Sequence, residues 1–287
     1  MTTVTVIGSV NLDISARVKR LPEPGETVTG ATLSRFPGGK GANQALAARR
    51  LGADVRLLAC VGDDSTADEA LALLREGGVD LDGLLIDSEA ATGTALISVA
   101  DSGENHIVVA PGANRKLYPD KMGIDSADAL ICQLEVPGDV ITYACHSFDG
   151  FACVNLAPAR EIDVSVLQRA DLIVVNEVES DWYGPTLQAC SGYVATTFGA
   201  AGAVLEKGGV EVARTAAPRV DAVDTVGAGD AFTAALTVSL VEGRTPDNAL
   251  RFACAAGACA ATKAGAQPSL PTRAEVESLL ESESHRK

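Results

Sequence analysis

Ala152-Cys153-Val154-Asn155-Leu156, then the helical pattern Val164-Ser165-Val166-Leu167-Gln168-Arg169-Ala170, then Leu172-Ile173-Val174-Val175 decide the fold class. Two short, almost continuously apolar runs flank an amphipathic segment, the pattern of strands buried on both faces and joined by a crossover helix. The same rhythm extends outward. Strands are expected at Thr3–Ile7, Val55–Cys60 and Ala129–Leu134 on one side and at Tyr193–Thr197 on the other. Helices are expected at Asn43–Leu51, Thr66–Glu76, Ala231–Val241, Asp247–Thr262 and Arg273–Glu281. The fold class is therefore α/β, a mostly parallel central sheet flanked by helices on both faces, with right-handed connections.

Two regions interrupt the rhythm. Glu26–Val28, Thr94–Val99 and Ile107–Val109 read as short strands, with Asp101–Glu104 as a hairpin tip. They suggest a small β-sheet lid, inserted from about residues 14–35 and 92–110 into a single α/β domain spanning 1–287. In Ser180–Ser191, Trp182, Gly184 and Pro185 interrupt any helix between two expected strands, so this connection reads as shortened. The polar end, Glu281–Lys287, is expected to fray.

The 287 residues are 47% hydrophobic and 21% charged, which excludes a disordered, collagen-like or coiled-coil chain. Aromatics make up only 4%, so the core must be built from Ala, Val and Leu. Lys and Arg number 23 against 38 Asp and Glu, a net charge of −15. Such a surface repels phosphate backbones and anionic membranes, and any anionic substrate needs a locally positive pocket. The seven cysteines are odd in number and lack a C-x-x-C pair, so neither a zinc site nor a disulfide framework is expected. Buried thiols in a reducing compartment fit better. The N-terminus runs straight into Val4-Thr5-Val6-Ile7 and no apolar stretch reaches about twenty residues, so a cytoplasmic protein is expected. His106, His146 and His285 share no spacing that supports a zinc site or a Ser/His/Asp triad.

Four groups of residues could carry chemistry. Pro37-Gly38-Gly39-Lys40-Gly41-Ala42-Asn43 enters a helix, and its glycines allow a ligand close to the backbone. It departs from the Walker A spacing, and it can also be read as a plain turn capped by Asn43. Asp224-Thr225-Val226-Gly227-Ala228-Gly229-Asp230 precedes another helix. Its small residues leave the first amides open to a phosphoryl group, and Asp230 beside them could take a proton from an attacking hydroxyl or merely cap the helix. Asn11, Asp13, Glu135, Asn176 and Glu179 fall after expected strands, where ligands of parallel sheets bind. Ala260–Ser269, broken by Gly265 and Pro268, reads from its residues as a helix stop.

These segments resemble the ribokinase-like family of carbohydrate kinases over nearly the whole chain. The likeness rests on Gly8-Ser9-Val10-Asn11-Leu12-Asp13, Pro24-Gly25-Glu26-Thr27-Val28, Gly38-Gly39-Lys40-Gly41-Ala42-Asn43-Gln44, Gln133-Leu134-Glu135, Asn155-Leu156-Ala157-Pro158-Ala159, Asp224–Asp230 and Gly265-Ala266-Gln267-Pro268-Ser269. Together they point to a ribose-phosphorylating branch rather than a fructokinase or nucleoside kinase. The resemblance implies ATP-dependent phosphorylation of D-ribose at O5, with Asp230 as catalytic base and Gly227, Ala228 and Gly229 as anion hole. Sugar contacts would fall on Asn11, Asp13, Gly39, Lys40, Asn43, Glu135 and Asp230. Nucleotide contacts would fall on Asn176, Thr197, Gly199, Gly202, Gly229 and Cys254, the last standing where the family often has a His. Magnesium would be linked through water to Glu179. Potassium would be held at Asp224, Val226, Ala260, Lys263, Gly265 and Ser269. The lid would make a homodimer contact. The alternatives are a related sugar or nucleoside kinase of the same family and a non-catalytic sugar-binding protein.

Overall fold

Apolar runs become the strands of one large sheet. The computed structural model describes residues 1–102 and 104–284. In chain order the strands are β1 (Thr3–Ile7), β2 (Asn11–Val18), β3 (Thr32–Gly38), β4 (Asp54–Leu58), β5 (Cys60–Gly62), β6 (Leu85–Asp87), β7 (Gly93–Ala100), β8 (Asn105–Ala110), β9 (Ala129–Gln133), β10 (Phe151–Asn155), β11 (Leu172–Asn176), β12 (Tyr193–Thr197), β13 (Ala203–Lys207) and β14 (Val210–Thr215). The helices are α1 (Lys40–Arg50), α2 (Ser65–Glu76), α3 (Gly138–Ser147), α4 (Val164–Arg169), α5 (Glu177–Tyr183), α6 (Ala228–Val241), α7 (Pro246–Ala260), α8 (Ala266–Ser269) and α9 (Arg273–Ser284).

The large sheet has the order β14-β13-β12-β11-β10-β9-β1-β4. It is parallel from β4 to β12, and β13 and β14 join antiparallel at one edge. Alternation of side chains gives each face its own core. Ile131 and Cys153 point to the side of α1, α6 and α7, whereas Leu130, Cys132 and Val154 point to the side of α3 and α4. The mostly parallel sheet expected from the sequence is present. Helix α6 is buried continuously from Asp230 to Ser239, because it lies between the sheet, α1 and α7. Small residues such as Ala234, Ala235, Ala253 and Ala256, all fully buried, allow helices to approach closely in a core that is poor in aromatics.

A second sheet, ordered β3-β2-β7-β8, stands apart from the first and matches the expected lid. Asn11 and Asp13 lie on β2 itself, where the sequence suggested a polar interruption after β1. Glu26–Val28 does not form the expected strand: Pro24-Gly25 turns the chain, and the Glu26 carboxylate accepts the Glu23 amide and pairs with Arg20. The hairpin between β7 and β8 falls where expected, with Gly103 outside the described residues.

Three further differences have local causes. Helix α1 begins at Lys40, three residues before the expected start, because Gly39 at φ 87° supplies the entry turn. The segment expected to lack a helix holds α5, which runs through Trp182 and ends only at Gly184, followed by a 3-10 turn over Gly184–Ala189. The β13–β14 hairpin, which has no counterpart in the sequence reading, turns at Gly208 and Gly209, both at positive φ. Helix α9 continues to Ser284, so Glu281 is still helical, while His285–Lys287 lie outside the described residues. Among the described residues no helix is long and apolar enough to cross a membrane. The seven cysteines are free, and all but Cys259 are buried.

Candidate active site

Polar residues end four neighbouring strands: Gln133 on β9, Asn155 on β10, Asn176 on β11 and Thr197 on β12. Gln133 is level with Asn155, and Asn176 with Thr197, so the carboxyl edge of the sheet carries a polar row. Helix α1 crosses one end of it at very short range. A Cβ on Gly41 would lie 2.5 Å from Gly8 C and Ser9 N, and one on Gly39 would lie 2.7 Å from Asn11 N. Only glycine allows this approach.

The start of α1 is held by a carboxylate. The Lys40 amide donates to Glu135 Oε2 (3.0 Å), and the Ser9 hydroxyl donates to the same oxygen. A negative group at this position also complements the helix dipole. Asn43 is not a cap. It lies inside the first turn of α1, is buried, and donates from Nδ2 to Asp230 Oδ2 (2.8 Å). Its neighbour Gln44 donates from Nε2 to Asp230 Oδ1 (2.9 Å). Asp230 is not a cap either, because Gly227, at φ 84°, holds that position for α6. The carboxylate instead sits in the first turn of the helix, 5% exposed and bracketed by two amides.

Five charged groups converge here. Burial pushes the Asp230 carboxyl above its ordinary value, against the pull of Lys40 and the Asn43 and Gln44 amides. Asp13 rises to about 7 through burial, then Glu135 and Asp230, with Lys40 opposing. Burial works against the Lys40 ammonium, but Asp230, Glu135, Glu179 and Asp13 outweigh it and hold its proton more tightly than usual. Glu179 is raised by burial and by Asp230, against the Asn176 amide and Lys40. The structure thus brings Asp13, Lys40, Glu135 and Asp230 into one charged cluster, with Asn43 bonded to Asp230, Gly39 packed against Asn11, and Glu179 near it. Sequence reasoning missed Ser9, Gln44, Gln133, Asn155 and Asn114. Asn114, buried, fixes Asn11 by donating to its Oδ1 (2.8 Å). Ser9, Gln44, Gln133 and Asn155 lie within the motifs that carry the resemblance, but their roles depend on burial, which a sequence does not display.

The α6 entrance is narrower than expected. The Ala228 amide turns back on Thr225 O (3.2 Å), and the Ala231 amide is bonded to Gly227 O (2.9 Å). The amides of Gly229 and Asp230 lie between them in the first helical turn, where no intrahelical partner exists.

The far side of the row is more open. Asn176 and Glu179 form a capping box at α5, each side chain accepting the other's backbone amide at 2.8 Å. Beyond β12, the Phe198 amide closes on Gly202 O (2.8 Å) around Gly199 (φ 55°) and Gly202 (φ 101°). Cys254 lies on α7, which packs on α6 and on the β13–β14 hairpin. Burial pushes its thiol up to about 12.

The segment expected to hold potassium is gathered at one junction. Asp224 accepts from Val226 N (3.0 Å) and Gly265 N (2.9 Å), and the Val223 and Asp224 amides both donate to Ala261 O. The Lys263 amide reaches Ala260 O (3.4 Å), and its ammonium is drawn away to Glu275 (3.0 Å). The Ser269 hydroxyl is buried and donates to Ala266 O (2.7 Å). A Cβ on Gly227 would lie 3.1 Å from Ala266 Cα, so this junction adjoins the α6 entrance.

A buried carboxylate beside the first amides of a helix, with a small separate sheet nearby, is an arrangement that suits phosphoryl transfer to an alcohol. The family model for pfkB family carbohydrate kinases matches residues 1–273, and the chain belongs to that family. It is an ATP-dependent sugar kinase by that membership. A ribokinase of Bacillus subtilis (strain 168) is 38% identical over 294 residues, covering 98% of this chain and 100% of the relative. The crystal structure of a ribokinase from Thermotoga maritima has a TM-score of 0.89 at 33% identity, covering 98% of this chain and 100% of that one. An Arabidopsis thaliana ribokinase, solved in complex with ribose and ATP, has a TM-score of 0.86 at 30% identity, covering 98% and 99%.

Proposed function

We propose that this chain phosphorylates D-ribose at O5 with ATP, giving D-ribose 5-phosphate. The observation that carries the reading is the pairing of Asn43 with Asp230. Asn43 donates to the carboxylate, while its own Oδ1 is buried without a partner among the described residues. A buried acceptor in that state is costly, and a sugar hydroxyl placed against it satisfies it while lying beside the base. Asn11, Asp13, Gly39, Lys40 and Glu135 complete the sugar pocket.

The acceptor O–H bond breaks toward Asp230, the oxygen attacks the γ-phosphorus in line, and ADP leaves. The free amides of Gly229 and Asp230 and the dipole of α6 stabilise the phosphoryl oxygens, so positioning and electrostatics supply most of the rate. On the nucleotide side, Asn176, Thr197, Gly199, Gly202, Gly229 and Cys254 line the path of ATP. Four carboxylates surround the single Lys40 ammonium, so a polyphosphate needs added cations to bind here. Magnesium bound with ATP neutralises phosphate charge, and Glu179, an oxygen donor turned toward that cluster, suits a water-linked ion. The Asp224–Ser269 junction suits potassium. Its donors are all oxygen, and Glu275 draws the competing Lys263 ammonium aside. Asp224, Val226, Ala260, Lys263, Gly265 and Ser269 would hold the ion and brace the loop that ends in the anion hole.

Closure of the lid excludes water. Its strand register puts Asp13, Ala95 and Val109 on one face and Ile14, Leu96 and Val108 on the other. Leu96 is 51% and Val108 65% exposed, so the outer face suits a homodimer contact. Reduced thiols suit the cytoplasm.

ADP formation over ribose, deoxyribose, fructose and adenosine, each with potassium or sodium, tests the reading. Ribose should be preferred, and potassium should raise the rate. Preference for another acceptor removes the substrate assignment, and equal rates in the two salts remove the potassium site. Calorimetric ribose binding with no ADP formed in any arm would make the chain a sugar-binding protein.

A further inference from the structure

Asp230 is gripped from two adjacent positions on α1, and the two grips differ. Asn43 lies in the sugar pocket and its amide can be shared with substrate. Gln44 is fully buried and has no path to substrate. Its amide orientation is dictated by a chain of partners. Asn155 Nδ2 donates to the backbone carbonyl of Val174 (3.1 Å), which leaves Asn155 Oδ1 as an acceptor. Gln44 Nε2 therefore faces it (3.1 Å) and gives its second hydrogen to Asp230 Oδ1 (2.9 Å). Gln44 Oε1 in turn accepts from Gln133 Nε2 (2.7 Å).

The chain ends at a loss. Gln133 Oε1 is buried and has no partner among the described residues. Turning the Gln133 amide over would set two carbonyl oxygens against each other at Gln44, so the unpaired atom is the consequence of holding Gln44 one way round. A Cβ on Gly8 would overlap this same amide, and Gly8 keeps the space open. A network that existed only for stability would gain by becoming apolar.

We propose that Gln44 is the positioning residue for Asp230: through amides anchored on the Val174 carbonyl it ties Oδ1 from the core side, and Oδ2, held by Asn43 alone, is the oxygen that takes the proton of the acceptor alcohol. The proposal rests on the kinase reading above for its substrate, though not for the state of the carboxylate. Donor bonds favour the ionised form, which a base requires. The other charged groups facing Asp230 are Lys40 on α1, Asp13 on β2, Glu179 on α5 and Glu135 beyond β9, and a change at Gln44 leaves all four in place.

The test compares wild type, Gln44→Met, which keeps the volume and removes the donor, and Asn43→Ala, which alters a substrate contact. Gln44→Met should lower kcat by about 10- to 100-fold with KM for ribose within about threefold, and should move the acid limb of the kcat profile up by about one pH unit. Asn43→Ala should raise KM and, because it also removes the donor to Asp230 Oδ2, lower kcat with it. A carboxyl-carbon NMR titration, with Asp230 assigned from Asp230→Asn, should show the same upward movement in Gln44→Met without any turnover. If Gln44→Met does not fold, Gln133→Met removes the acceptor-side anchor and is read on the same scale, with a loss of about threefold to tenfold in kcat. A folded Gln44→Met with wild-type kcat and an unmoved acid limb overturns the proposal, as does a fall in kcat matched by a rise in KM with the limb unmoved. Wild type that phosphorylates no sugar defeats the kinase reading instead, and the NMR titration still decides the role of Gln44.

Discussion

The two ends of the polar row along the sheet are built to different standards. Beneath α1, Ser9, Asn43, Gln44, Glu135, Asn155 and Asp230 are bonded to one another, and the backbone is so close that Gly41 has no room for a methyl group. At the end of β12, Gly199 faces open space, Thr197 Oγ1 reaches only a carbonyl at 3.4 Å, and the loop at 221–226 is largely exposed. Under the proposed assignment, the protein itself organises the acceptor half, and the nucleotide half would be ordered when ATP binds. Such a division is economical for a kinase, because the alcohol and base must be aligned closely and the polyphosphate brings its own charge and shape.

The strongest test of that contrast is the base. Asp230→Asn should reduce kcat by about 10²–10⁴-fold while ribose affinity stays within a few-fold, since the amide keeps the shape and loses the proton acceptor. Coupled ADP detection gives the first quantity and calorimetry the second. Near-wild-type turnover would remove Asp230 from the role and end the case for a preorganised acceptor half.

A pair of glycines sharpens the comparison. Gly41→Ala places its Cβ against the backbone of Gly8 and Ser9, so the strand or the helix must shift, at a cost of about 3 kcal/mol. Gly199→Ala meets no neighbour and suffers only from its positive φ, about 1 kcal/mol. Urea unfolding of both variants measures the difference. Equal losses would mean that the two ends are packed alike.

Much of this design was legible beforehand. The buried strands at Leu172–Asn176 and Ala129–Gln133 announced themselves by continuous apolar runs, and Asp230 by the small residues before it. What escaped was of two kinds. Gln44 and Asn155 look like ordinary polar residues until the fold buries them against one carboxylate. The Gly208-Gly209 turn between β13 and β14 carried a real hairpin signal, but β14, exposed at the sheet edge, lacks an apolar run, and β13 offers only Ala203–Leu205 before Glu206 and Lys207. The α5 helix was discounted because Trp182 and Pro185 disfavour helices locally, yet the Asn176–Glu179 capping box fixes its first turn and Pro185 falls beyond its end.

The acidic cluster makes a prediction about pH with a definite sign. Asp13 has its carboxyl raised from 3.8 to about 7 in the folded protein, so between those values the folded state binds more protons than the unfolded chain. Its contribution is therefore full at low pH and is lost as pH rises toward 7. Asp13→Asn should stabilise the free protein by about 1–2 kcal/mol at pH 8, allowing for partial solvation, and by little at pH 4, while weakening ribose binding. Urea midpoints of variant and wild type at the two pH values measure it. A gain that does not grow with pH would place Asp13 outside the desolvated cluster.

The smallest effect belongs to the open end. Asn176 caps α5 by accepting the Glu179 amide, and Glu179 returns the bond from a buried position beside Lys40 and Asp230. The capping box alone accounts for both residues structurally, so stability and nucleotide binding must be separated. Asn176→Ala should cost about 1 kcal/mol in urea unfolding, the usual value of a lost cap. If the residue also contributes to the nucleotide side, KM for ATP should rise several-fold beyond what the stability loss explains, with KM for ribose unchanged, because no bond joins α5 to the Asn43–Gln44–Asp230 network among the described residues. A rise in both constants together would mean that the two ends of the row are mechanically joined, and the division of labour between protein and ligand would then be less sharp than the geometry implies.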